Sequence, residues 1–128
     1  DASAKAVLNA NYLAEQLELA VPYGPFHHEF AATAGDRDAA DVAKRMLDFG
    51  VHPPTTKWPE MVPEAMLTEP TEIESKRTLD QLAAAFNNAY SDTDDAIETA
   101  PSRTTAGRID QVSAARNPRL SWQAIDDE

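Results

Sequence analysis

The sequence predicts an α+β fold: a short sheet covered by helices. Three observations carry this reading. Apolar residues recur at helical spacing in several segments free of Gly and Pro. Only residues 26–32 and 65–68 read as strands, and a proline-rich stretch separates them. The order is helix, strand, helix, extended segment, strand, helix, helix, tail, which suits a small sheet with helices packed on it.

Residues 4–20 place Ala6, Ala10, Leu13, Leu17 and Ala20 on one helical face, before Pro22, Gly24 and Pro25 break the pattern. Residues 26–32 alternate. Phe26, His28, Phe30 and Ala32 share one face, and His27 and Glu29 share the other. Gly35-Asp36 is a turn. A helix follows over residues 37–49, with Asp36 or Asp38 as N-cap and Gly50 where a left-handed C-cap belongs. Pro53, Pro54, Pro59 and Pro63 keep residues 52–63 extended and irregular. After the strand at 65–68, Thr71 and Glu74 have the spacing of a capping box. They predict a helix from Thr71 with Leu79, Leu82, Ala83, Phe86 and Tyr90 inward, and with Glu72 and Glu74 at its positive end. Residues 91–99 predict one more short helix. From Pro101 the chain changes character: Arg103, Arg108, Arg116 and Arg119 face only Asp110 before Asp126. We expect this extension to lie on an acidic surface, its own or a partner's.

The chain has 128 residues, 22 Asp and Glu against 11 Lys and Arg, and a formal charge of -11. That charge excludes nucleic acid and anionic membrane surfaces as partners, since both require cationic neutralisation. Cysteine is absent, so thiolate chemistry, disulfides and cysteine metal sites are excluded. No apolar run approaches the ~18 residues of a membrane-spanning helix. The chain begins at Asp1 rather than Met, from which we expect a processed chain or one cut from something longer. Dispersed acid with only four Lys reads as a surface adapted to high salt; the alternative is a merely acidic cytosolic protein.

Few residues invite chemistry. His27, His28 and His52 are the only histidines. Neighbours on a strand point to opposite faces, so His27 and His28 do not form a metal site by themselves, and we expect no metal. No serine sits in a nucleophile elbow, and no glycine-rich phosphate loop exists. Glu72 and Glu74 read as helix-start acids, whereas Glu69 stands at a strand end, where functional groups are common. In Gly50-Val51-His52-Pro53-Pro54-Thr55, two prolines stiffen a loop that holds His52 and Thr55 in fixed places.

Several strings resemble a known family. They are Asn9-Ala10-Asn11-Tyr12-Leu13, His28-Glu29-Phe30, and the run from Asp41 through Asp48-Phe49-Gly50-Val51-His52-Pro53-Pro54-Thr55. Val62-Pro63-Glu64-Ala65-Met66, Glu69-Pro70-Thr71-Glu72 and Glu74-Ser75-Lys76 continue the match. Together they resemble the C-terminal part of glycine dehydrogenase (decarboxylating), the P-protein of the glycine cleavage system. The tail, with Arg108-Ile109-Asp110 and Ala114-Ala115-Arg116-Asn117-Pro118, is most similar to subunit 2 of the two-subunit form.

The resemblance implies the small C-terminal domain of a fold-type-I pyridoxal-phosphate enzyme. Residues 1–22 would be a helix leading in from a large domain, 23–99 the small domain and 100–128 an Arg-containing extension. It implies glycine as substrate, decarboxylation with pyridoxal phosphate, and transfer of the aminomethyl group to the lipoyl arm of H-protein. Subunit 1 of the P-protein and H-protein are the implied partners, and the cytoplasm the implied location. The family's Schiff-base lysine follows a histidine and precedes Thr or Cys. Lys5, Lys44, Lys57 and Lys76 lie in other surroundings, so no catalytic residue is expected in this chain and the chain alone is expected to be inactive. His52, Thr55, Glu69 and Thr71 are the expected substrate-cleft residues. The alternative is that Pro53-Pro54 and Glu69-Pro70 are conformational locks whose side chains only pack. A second function from another class is a non-catalytic, truncated interaction domain that pairs with P-protein subunits.

The salt-adapted reading has a direct test. The unfolding temperature should rise between low and molar KCl, because screening removes self-repulsion among the surplus carboxylates. An unchanged melting curve rejects it.

Overall fold

A computed structural model of the chain describes residues 1–121; Asp126 and the end of the predicted extension, residues 122–128, lie outside the described residues. The elements are α1 (Ala2–Glu15), β1 (Phe30–Thr33), α2 (Ala39–Asp48), β2 (Thr55–Thr56), β3 (Ala65–Thr68), α3 (Lys76–Ser91), α4 (Asp94–Thr99) and α5 (Gln111–Arg116). The sheet is antiparallel with order β1-β3-β2. Phe30 stands opposite Thr68, and Thr55 opposite Leu67. This is the small α+β arrangement expected from the sequence.

Helix α2 forms as its caps dictate. The Asp38 carboxylate accepts from the amides of Ala40 at 2.8 Å and Asp41 at 3.2 Å. The Glu64 carboxylate takes the Ala39 amide at 2.8 Å, so two acids satisfy donors left open at the positive helix end. Gly50 at φ 76° takes the left-handed conformation that closes the helix. The buried face of α2, with Val42 and Met46, meets Phe86 of α3, Leu13 of α1 and Met66 of β3 in the core. Strand β3 spans the four residues expected of it.

Three boundaries differ from the sequence prediction by four residues or more, and β2 and α5 form where the sequence predicts an irregular segment and an extension. Helix α1 ends at Glu15 rather than residue 20. There the Asn87 side chain captures the chain: its Oδ1 accepts from the Glu18 amide at 2.8 Å and its amide donates to the Gln16 carbonyl at 2.9 Å. The freed segment instead reaches the sheet, where Ala20 bridges Thr33. Strand β1 begins at Phe30 rather than residue 26, because Asn11 takes both backbone groups of Phe26. Helix α3 begins at Lys76, with Ser75 as N-cap accepting the Thr78 amide at 3.1 Å. The expected Thr71–Glu74 capping box does not form. Residues 71–74 make a turn, and Asn9 donates to the Thr71 carbonyl at 2.8 Å.

The last buried acid organises the remaining chain. Asp48, at 5% exposure, accepts from the amides of Ser102 at 2.8 Å and Arg103 at 2.7 Å, from the Ser102 hydroxyl, and from Arg45 at 2.9 Å. Arg45 also donates to Asp92, before α4, and stacks its guanidinium 4.9 Å from the Phe49 ring centre. Further along the tail, Arg108 bonds Asp41 of α2 at 2.8 Å and the Ile97 carbonyl of α4. This part of the extension therefore lies against the chain's own α2 and α4, held by carboxylates of α2. Beyond it, α5 buries no residue. Among the described residues no helix is long and apolar enough to cross a membrane.

Burial works to raise the Asp48 pKa, but its hydrogen bonds from Arg103, Ser102 and Arg45 outweigh this and hold it below the ordinary 3.8. Asp48→Ala removes the acceptor of two part-buried amide bonds and one of the two carboxylates that Arg45 holds, so a loss of about 2 kcal/mol in a denaturant titration is expected. Because the folded pKa lies below the unfolded one, the carboxylate's contribution is complete above the unfolded value. It is lost as pH falls through the folded value. Unfolding free energy should therefore decline as pH drops below about 4, and the D48A variant should show a shallower decline.

Candidate functional site

The antiparallel register brings three joints to one end of the sheet. Chain enters β1 through residues 27–29, enters β2 through residues 52–54, and leaves β3 through residues 69–71. Since β3 is central, Glu69 stands between the histidine pair on one side and the Pro54–Thr55 loop on the other. The predicted residues His52, Thr55, Glu69 and Thr71 are all exposed. This end of the sheet carries all four.

A hollow of about 500 Å³ opens beside the β1–β3 pair. Its walls are His27, His28, Glu69 and Glu72, and its floor is the first turns of α1, with Ser3 and Val7. Glu69 is the one predicted cleft residue that lines it. His52 and Thr55 belong to the far side of the sheet end, and Thr71 contributes its backbone to Asn9 rather than a side chain to the hollow.

Two sequence expectations change here. His27 and His28 do not point to opposite faces of a strand, because β1 starts only at Phe30; both line the hollow. Glu72 is not a helix-start acid but stands in a turn before α3, also on the wall. The sequence signal for both lies in Asn9 and Asn11 on α1, although no local rule tells which backbone an asparagine will grip. Among the described residues, no three His, Asp or Glu side chains converge to hold a metal ion.

The hollow can receive a neutral or cationic group through two imidazoles and two carboxylates. It does not fit pyridoxal phosphate, whose phosphate requires cations or a cradle of amides. No Lys or Arg lines it. Elsewhere, Lys57 pairs with Asp38 at 2.7 Å, Lys76 with Asp80 at 2.8 Å, and Lys44 with Asp41 at 3.5 Å. Hydrogen bonding to Asp38 raises the Lys57 pKa, and hydrogen bonding to Asp80 and Tyr12 raises that of Lys76. An amine that attacks an aldehyde must first lose its proton, so these pairs oppose such a role.

Apolar side chains also stand in solvent around this end. Leu8 on α1 is 66% exposed and Ile73 in the turn before α3 is 79% exposed.

Comparison with known proteins agrees with the sequence resemblance. The family model described as glycine dehydrogenase, C-terminal domain, matches residues 2–110. A probable glycine dehydrogenase (decarboxylating) subunit 2 of Halobacterium salinarum is 75% identical over 126 residues, covering 98% of this chain and 27% of that protein. The same-named protein of Thermotoga maritima is 44% identical over 134 residues, covering 94% and 28%. That of Thermoplasma acidophilum is 42% identical over 127 residues, covering 95% and 27%. The chain thus spans about a quarter of the length of these relatives. The Halobacterium relative fits the salt-adapted reading of the charge.

The paired lysines generate a simple expectation. After the purified chain is mixed with equimolar pyridoxal phosphate and reduced with borohydride, Lys44, Lys57 and Lys76 should carry no label in a peptide mass map, any label falling on Lys5 or the terminal amine; a label on a paired lysine would contradict this.

Proposed function

The chain belongs to the glycine dehydrogenase C-terminal domain family, and we propose that it is the small domain of a glycine dehydrogenase (decarboxylating), the P-protein of the glycine cleavage system. The observation that carries this reading is the family match over residues 2–110, supported by the three joints gathered at one end of the sheet. In this reading residues 1–22 lead in from a larger domain, residues 23–99 form the small domain and residues 100–128 the Arg-containing extension. The complete enzyme has the fold-type-I architecture, works in the cytoplasm, decarboxylates glycine, and passes the aminomethyl group to the lipoyl arm of H-protein. Its subunit 1 is the partner chain.

Pyridoxal phosphate and its lysine then belong to the larger domain, since the hollow here lacks cationic groups. This domain supplies shape. Exposed Val7, Leu8 and Ile73 are the apolar face that the larger domain covers. The sheet end closes one side of the cleft, with His52, Thr55, Glu69 and Thr71 toward it. The stiff Pro53-Pro54 loop holds His52 and Thr55 at low entropic cost, which favours productive geometry when the domains approach.

In the complete enzyme, His52→Ala and Glu69→Gln should each lower kcat/KM for glycine decarboxylation about tenfold, roughly 1.4 kcal/mol of transition-state stabilisation. Unchanged kcat and KM in both variants reject this face as the cleft.

A further inference from the structure

We propose that Asn9 and Asn11 of α1 are positioning residues, each locking the backbone of one wall of the sheet-end hollow and so setting where Glu72 and the two histidines stand. The inference rests on the reading of that hollow as part of the catalytic cleft.

The geometry is reciprocal. Asn9 is 5% exposed, and its amide nitrogen donates to the Thr71 carbonyl at 2.8 Å and to the Glu74 carbonyl at 3.4 Å. Those two carbonyls bracket Glu72, which lines the hollow. Two positions on, the Asn11 side chain projects from another side of the helix. It holds both backbone groups of Phe26: its amide donates to the carbonyl at 2.7 Å and its oxygen accepts from the amide at 3.0 Å. Phe26 immediately precedes His27 and His28. A single rigid helix therefore grips both walls, and its first turns make the floor between them.

Neither wall has another regular support. Residues 71–75 lie outside helix and sheet, and so do residues 23–28, which contain the Gly24-Pro25 break. A side-chain amide carries its donor and its acceptor on separate atoms in one plane, and Asn11 uses both toward the backbone of Phe26. Aspartate lacks the donor and leucine lacks both. Apart from the Asn11 donation to the Val7 carbonyl within α1 at 2.8 Å, the hydrogen bonds run to loop backbone, so their removal displaces the walls first. A displacement of about 1 Å in a positioned group can cost two orders of magnitude in rate.

The test uses the complete enzyme with its partner subunit. Asn9→Ala, Asn11→Ala, Glu72→Gln and His27→Ala are made singly, and N9A/E72Q and N11A/H27A as pairs. Steady-state kcat and KM and the unfolding temperature are read for each, with Asn9→Ser, which retains one donor, replacing N9A if that variant does not fold. Each single variant should lose about tenfold in kcat/KM. Each pair should be no worse than its E72Q or H27A member, because the placement of a side chain already removed no longer matters. Losses that multiply in the pairs show that the asparagines act only through general stability, and overturn the proposal. Asparagine variants of unchanged kinetics overturn it as well. If E72Q and H27A are themselves without effect, the reading of the hollow fails and this inference fails with it. If they reduce activity while the pairs multiply, the inference alone fails.

Discussion

The fold depends on one buried carboxylate in an unfavourable place. Asp48 is the last residue of α2, where the helix dipole is negative and an acid is locally destabilising. Its position is compensated by the amides of Ser102 and Arg103, distant in sequence, and by the Arg45 guanidinium three residues back on α2. Through Arg45 the same cluster reaches Asp92 at the joint between α3 and α4. One ionised group thus fixes the path of the tail, the α3–α4 corner and the end of α2. Removing any single partner leaves a buried charge or donor uncompensated, so the cluster stands or falls as a unit.

At the opposite side of the molecule, α1 does the corresponding work with neutral amides. The sheet has two strands of four residues and one of two. A ladder so short does not by itself orient the three loops at its end. Asn9 and Asn11 bind backbone groups at two of them, at Thr71 and Phe26, and Asn87 of α3 does the same for the chain that follows α1. The two systems divide the domain. Charge holds α2, α4 and the tail together, where the surroundings are acidic. Uncharged hydrogen bonds hold α1 to the loops of the hollow, where a fixed extra charge would compete with Glu69 and Glu72.

This division also explains what was legible in the sequence. Strand β3, helix α2 with its Asp38 cap and Gly50 stop, and the inward face of α3 followed from local periodicity and capping, since nothing remote competes there. The three largest boundary differences share one physical cause. At Gln16–Glu18, at Phe26 and at Thr71–Glu74, an asparagine distant in sequence occupies backbone groups that local rules assign to helix or strand. The same competition governed the site. Glu69 was legible because a strand end is visible from sequence, whereas Glu72 and the paired histidines were misread as helix and strand residues. Neither could be placed without knowing which backbone Asn9 and Asn11 grip.

The distribution of ion pairs joins the charge to the proposed role. At least six of the eleven cations, Arg37, Lys44, Arg45, Lys57, Lys76 and Arg108, pair with this chain's own carboxylates. Most of these pairs are partly or largely exposed and contribute little each, about 0 to 1 kcal/mol. The Arg45–Asp48 pair differs, because its side chains are 16% and 1% exposed. Salt screens exposed charges and leaves buried pairs nearly untouched. High ionic strength therefore relieves repulsion among the surplus acids without loosening the cluster that holds the tail. A domain built this way commits its cations to its own architecture. Under the proposed function, its contribution is best sought in how it closes the cleft, where the uncharged amides of α1, insensitive to salt, would hold the walls.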